Sequence, residues 1–197
     1  MNHADMTLDH ERRLRVLESF ERSSPNVYDD LLPNAVTVGG GASAPTFSAY
    51  NGNLRAYEFL GTGVTTKDLQ IQWQLPHAWN EGSTVSPHIH LYVPNDASGG
   101  VIKFYFEYSW TNANDVEAAA LTISGEYTVT AAAGNRHRIL EIATIAGTGK
   151  TLSSIISARL YRNPADAADT FAASVWLKAA DIHYLKDSHG SRQEYIK

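Results

Sequence analysis

The chain has 197 residues, no cysteine, 43% hydrophobic and 19% charged residues, and a formal net charge of −5. That length suits one generous all-β domain, able to bury a core without disulfides or a structural metal, and the lack of cysteine excludes thiol catalysis and zinc-finger or iron–sulfur ligation. An acidic balance with no basic stripe argues against nucleic acid as a partner, and the apolar runs are too short and too broken to cross a membrane as helices.

The charged start MNHADMTLDHERR lacks the pattern of a signal peptide. Residues 7–22, TLDHERRLRVLESFER, predict the one helix: Asp5 or Thr7 caps it, Asp9 and Glu11 favour its first turn, and Arg22 its last. Leu14, Val16, Leu17 and Phe20 form a narrow apolar stripe. A helix of about 16 residues is marginal alone and needs a surface to pack on, either its own domain or a neighbouring subunit. Between Ser23 and Tyr50, Pro25, Pro33, Gly39–Gly40–Gly41 and Pro45 read as a loop-like, extended connector. The expected organisation is therefore a helical arm and connector over 1–50 and a β domain with a C-terminal tail over 51–197.

From residue 54 the period becomes two. Leu69, Ile71, Trp73 and Leu75 alternate with Gln70, Gln72 and Gln74; Ile89, Leu91 and Val93 alternate with His88, His90 and Tyr92. In VIKFYFEYSW, 101–110, Ile102, Phe104, Phe106, Tyr108 and Trp110 share one side. Further strands are expected near 54–60, 121–130, 137–145, 154–162 and 171–184, separated by Gly, Asn, Asp and Pro clusters. About eight strands and no interrupting helix predict an all-β, antiparallel two-sheet sandwich of jelly-roll type, with a short N-terminal helix and extended arm.

Chemistry-bearing patterns are sparse. His88 and His90, at i and i+2, point to one side of a strand, where neutral imidazoles can share a metal. Their spacing from Gly82 matches the opening of a cupin metal motif, but Pro94 and Asn95 stand where a cupin supplies a carboxylate. His77 or His183 would have to complete such a site. A polar network on the strand face is the plainer reading, so no metal or other cofactor is expected, and a cupin-like metal-binding enzyme ranks last. GTGKT, 147–151, lacks the first glycine of a phosphate loop and has no following helix, so it reads as a hairpin. Asp181, His183 and Ser188 supply triad residue types without a nucleophile elbow, and Glu107, Glu117, Glu126 and Glu141 supply carboxylates whose pairing sequence does not reveal. No catalytic residue is assigned. Trp79, Tyr92, Tyr105 and Tyr161 are candidates for exposed aromatic rings that stack on sugars or fill an interface.

The ending DIHYLKDSHGSRQEYIK, 181–197, resembles a family of tailed-bacteriophage virion proteins that finish in Asp-x-His-Tyr, then Asp-Ser/Thr-x-Gly-Ser-x-x-Glu-Tyr-x-Lys. LPHAWNEGSTVSPHIHLYVP, 75–94, and ARLYRNPADAADTF, 158–171, are similar to the same family, while the arm lies outside the resemblance. The resemblance implies a non-enzymatic virion component, most simply a capsid cement or decoration protein, with a receptor- or glycan-binding head-fibre or tail module as the alternative. The expected partners are further copies of the chain in a homotrimer, the major capsid protein or other virion proteins, and a host surface glycan. Leu14, Leu17 and Phe20 of the arm, with Trp79 and Tyr195, are the expected interface residues.

Overall fold

The computed structural model describes residues 11–13, 15, 27–94, 99–130 and 134–191. Among these, Glu11, Arg12, Arg13 and Arg15 are helical and exposed, while Leu14, Leu17, Phe20 and Tyr195 lie outside the described residues. Eleven strands follow among the described residues: β1 (Val27–Leu31), β2 (Ala35–Val38), β3 (Thr46–Asn51), β4 (Leu54–Phe59), β5 (Lys67–Gln74), β6 (Val85–Val93), β7 (Gly100–Thr111), β8 (Leu121–Val129), β9 (Arg136–Glu141), β10 (Ile155–Arg162) and β11 (Val175–Lys186). They form two antiparallel sheets, β3–β4–β11–β6–β9 with β1 also on β11, and β2–β5–β10–β7–β8. Strands β4 to β11 change sheet at every connection except β7–β8 and lie in the orders 4-11-6-9 and 5-10-7-8, which is the winding of a jelly roll.

The connector expected over Ser23–Tyr50 is corrected by this topology. Its described part supplies three strands: β2 edges one sheet on β5, β3 edges the other on β4, and β1 pairs Leu31 with Ile182 and Val27 with Lys186. The boundary at residue 50 therefore falls inside β3. Prolines and glycines mark the turns between strands too short and too exposed to show a period; the four residues of β2 are all exposed.

The inward residues of both sheets make one core. Leu69, Ile71 and Trp73 of β5 and Ile102, Phe104 and Phe106 of β7 share it with Ile89, Leu91 and Val93 of the facing sheet. Phe59 packs edge-on against Phe104 at 5.1 Å, bridging the two layers. Trp79 was expected at an interface, yet it is fully buried, its ring 5.5 Å from that of Trp110. The loop after Leu75 folds under the sandwich, and a large ring closes that end better than a polar side chain can.

Arg162 ends β10 at an inward position and is 0% exposed. Its Nε and Nη2 donate to the two Asp169 carboxylate oxygens at 2.7 and 2.8 Å. Nη2 also donates to the Phe171 carbonyl at 2.5 Å, and Nη1 to those of Ala173 at 3.0 Å and Phe59 at 3.3 Å. All five guanidinium N–H groups thus have acceptors. Close backbone approach completes this corner: a Cβ on Gly61 would stand 2.3 Å from the Ala173 carbonyl oxygen. Removing one member of a buried ion pair strands the other charge, at a cost of about 3–5 kcal/mol. Asp169→Asn should therefore destabilise the protein by about that amount, read as a lowered urea midpoint with unchanged m-value.

Candidate functional site

The jelly roll leaves two outward faces, and alternation makes them chemically different. On the β2–β5–β10–β7–β8 sheet, registered pairing aligns outward residues in cross-strand rows. One row runs Ala35, Gln72, Ser157, Ser109; the next runs Thr37, Gln70, Arg159, Glu107. These rows line a groove of about 410 Å³. Gln70 and Gln72 are exposed, and Gln72 Nε2 donates to Ser157 Oγ at 3.5 Å. Ser109 Oγ donates to Glu117 at 2.6 Å, which fixes part of the rim. Arg159 Nε donates to Asp68 at 2.7 Å and its guanidinium sits 4.5 Å over the Tyr161 ring. Tyr161 stacks on Tyr105 at 4.9 Å with 11° between planes.

The Tyr105 hydroxyl donates to Asp166, whose other oxygen accepts from the Ala168 N–H at 2.9 Å. Lys103 stands 3.2 Å from the same carboxylate. The Tyr105 hydroxyl above all, with the Ala168 N–H and Lys103, holds the Asp166 carboxyl below its usual 3.8.

The opposite face, on β6, β9, β11 and β1, carries the histidines singled out by sequence. His88 lies opposite Asp181 across β6–β11. His88 Nε2 is 2.7 Å and His90 Nε2 3.5 Å from the same Asp181 Oδ1. That oxygen is buried, and the two imidazole nitrogens are what face it. His90 Nδ1 shares a 2.6 Å hydrogen bond with His137 Nε2. His183 comes within 4.1 Å of His88, ring to ring, but its Nε2 pairs with Asp30 at 2.9 Å. His77 is elsewhere, hydrogen-bonded to Ser191 and Ser153.

The neighbouring Asp181 carboxylate raises His88 above the usual imidazole value. Burial works to raise Asp181, but contact with His88 keeps it below the usual carboxylate value. Burial lowers His137, helped by the positive charges of His90 and Lys178. A groove of about 360 Å³ lined by Tyr28, Ser86, His88, Glu141 and His183 opens beside the cluster.

The other constellations weighed in the sequence are not assembled. Asp181 engages His88 and His183 engages Asp30, so no relay reaches Ser188. Glu107, Glu117 and Glu126 are held separately by Arg159, Ser109 and Lys103. Lys150 of the 147–151 run donates to the Trp110 carbonyl at 2.6 Å. That run belongs to the connection from β9 to β10, which crosses between sheets and is not the expected hairpin. Tyr92, Tyr105 and Tyr161 are half-buried against neighbouring rings rather than free platforms.

No protein-family model matches the sequence, and no curated protein does. Among solved structures, the CBM22-2 xylan-binding domain of Paenibacillus barcinonensis Xyn10C is 12% identical with a TM-score of 0.38, over 79% of this chain and 98% of that one. The C-terminal family 22 carbohydrate-binding module of Clostridium thermocellum Xyn10B is 14% identical with a TM-score of 0.36, over 84% and 90%. Eiger TNF from S. frugiperda is 12% identical with a TM-score of 0.31, over 86% and 99%.

A carboxyl whose folded value is depressed adds stability above its unfolded value and loses it as pH falls through the folded one. The contribution of Asp166 should thus be complete above about pH 4 and fade below it. Urea midpoints of wild type and Asp166→Asn, measured between about pH 2 and 6, should differ most at the upper end and converge on acidification.

Proposed function

We propose that the chain is a non-catalytic, glycan-binding module of a bacteriophage virion. The observation that carries the binding role is the groove of Thr37, Gln70, Gln72, Ser109 and Ser157 across four strands of one sheet. Neutral amide and hydroxyl groups both donate and accept, which matches the hydroxyls of a sugar. Arg159, whose guanidinium sits over the Tyr161 ring, lines it with Glu107. Groups held on paired strands are pre-positioned, so little ordering entropy opposes binding. The virion setting is supported by the sequence resemblance alone.

A glycan array probed with the full chain should return a hit confirmed by calorimetry. The double variant Gln70→Ala/Gln72→Ala removes exposed side chains without touching the core. Losing two neutral hydrogen-bonding groups should weaken binding about tenfold or more. A blank array, or an unchanged affinity in the double variant, overturns the glycan reading.

A second reading, a capsid cement protein, is favoured by a different observation. Large apolar side chains stand exposed along the N-terminal strands and turns: Val27, Tyr28, Leu32, Val36, Val38 and Phe47. Such a concentration suits burial against a further copy or a capsid protein, including the expected homotrimer. Deleting residues 1–24 should leave a folded β domain, shown by its circular dichroism, that no longer decorates particles. Decoration at wild-type occupancy would remove the arm from that role.

A further inference from the structure

We propose that His88, His90 and Asp181 bind one divalent transition-metal ion on the outer face of the β3–β4–β11–β6–β9 sheet. Their ligand atoms, one from each residue, all lie within 4.8 Å of one another. Two imidazoles and one carboxylate form a donor set suited to zinc, iron, cobalt or nickel, rather than to calcium or magnesium, which prefer all-oxygen shells.

Three features separate this cluster from an ordinary ion pair. First, two imidazole nitrogens converge on one carboxylate oxygen, at 2.7 and 3.5 Å. A single His–Asp pair leaves no role for the second ring. Second, that oxygen belongs to a residue only 7% exposed, and what faces it is the two imidazole nitrogens. A buried carboxylate needs positive charge beside it, which a bound cation supplies in place of an imidazole proton. Third, His90 is oriented from behind by His137, through the 2.6 Å contact at Nδ1. A partner on the far nitrogen fixes the ring and directs the other nitrogen forward, as around metal-ligating histidines generally.

The spacing fits with small adjustment. Ligand atoms about 2.0–2.1 Å from a tetrahedral ion stand about 3.3–3.4 Å apart. His90 and Asp181 are already at 3.5 Å, His88 needs to withdraw from 2.7 Å by about 0.6–0.7 Å, and all three ligand atoms start within 4.8 Å of one another. His88 also lines the 360 Å³ groove that opens beside the cluster. His183, a candidate by sequence, is not among the ligands because Asp30 holds its Nε2. This inference concerns the sheet opposite the glycan groove and stands or falls without it.

The test uses full-length protein stripped with chelator and then titrated with Co²⁺, followed by absorbance, and with Zn²⁺, followed by calorimetry. One ion per chain is expected. His137→Ala should weaken binding by about 10–100-fold, and His90→Ala and Asp181→Asn by more. His77→Ala should bind like wild type. His90 is partly exposed, so His90→Ala is expected to stay folded, checked by circular dichroism, even if Asp181→Asn does not. Absence of stoichiometric binding to wild type overturns the proposal, as does a folded His90→Ala that binds with wild-type affinity.

Discussion

A buried guanidinium with every N–H occupied fixes one end of this sandwich. Arg162 belongs to one sheet, yet it donates to the carbonyl that ends β4 in the other and to three residues of the loop leading into β11. A charge at that depth is tolerable only when paired and fully hydrogen-bonded. Residues 163–174 must therefore take the one path that presents Asp169, Phe171 and Ala173 together. The same loop is tied to β7, where the Val101 N–H donates to Thr170 Oγ1 at 2.9 Å and the Thr170 and Phe171 N–H groups return to the Val101 carbonyl. The starting point of β11 is set by this corner. Everything β11 carries, including Asp181 and His183, is positioned from there.

Closing the jelly roll then decides what the surface offers. With both inward faces consumed by the core, chemistry is left to the outward residues, and period-two alternation assigns them strand by strand. The glutamines of β5 fall between the leucines and isoleucines that bury, and register aligns them with Ser157 and Arg159. On the other sheet the same rule turns His88 and His90 outward because Ile89 and Leu91 turn in. Neutral hydrogen-bonding groups on one face and imidazoles with carboxylates on the other suit different ligands, and neither set interrupts the core.

Much of this was legible in the sequence. Alternation marked β5, β6, β7 and β10 to within a few residues, and the same-side placement of His88 and His90 followed from their spacing. The N-terminal strands were not legible: five, four and six residues between prolines and glycines show no buried face. Trp79 misled because a tryptophan in a polar loop looks free until the loop folds under the sheets. Arg162 offered a signal that was missed. Ile156, Ala158 and Leu160 precede it at every second position, so the alternation placed a charge inside and called for a buried partner. The resemblance through 158–171 included both Arg162 and Asp169 without revealing that they meet.

The sequence offered Asp181 as a triad residue type and, through the resemblance, as a polar-network residue with His88 and His90, but its pairing with His88 depends on an irregularity that alternation alone conceals. Val175 and Leu177 are inward, so strict period two would send 179, 181 and 183 inward as well. The apolar residues that follow are instead Ala180, Ile182 and Tyr184, on the opposite parity, and all are buried. Both sets can reach the core only if one extra residue is inserted between them. The register supplies it at Lys178, where pairing passes from Leu177–Leu91 to Ala179–His90. A bulge of this kind flips every later side chain to the other face. Burial of Ile182 and Tyr184 thus requires the bulge, and the bulge turns Asp181 out beside His88. The small Ala179 opposite His90 adds no bulk between that ring and the Asp181 carboxylate. Packing demands in the core, rather than any local preference of the acidic residue, bring the carboxylate to the histidines.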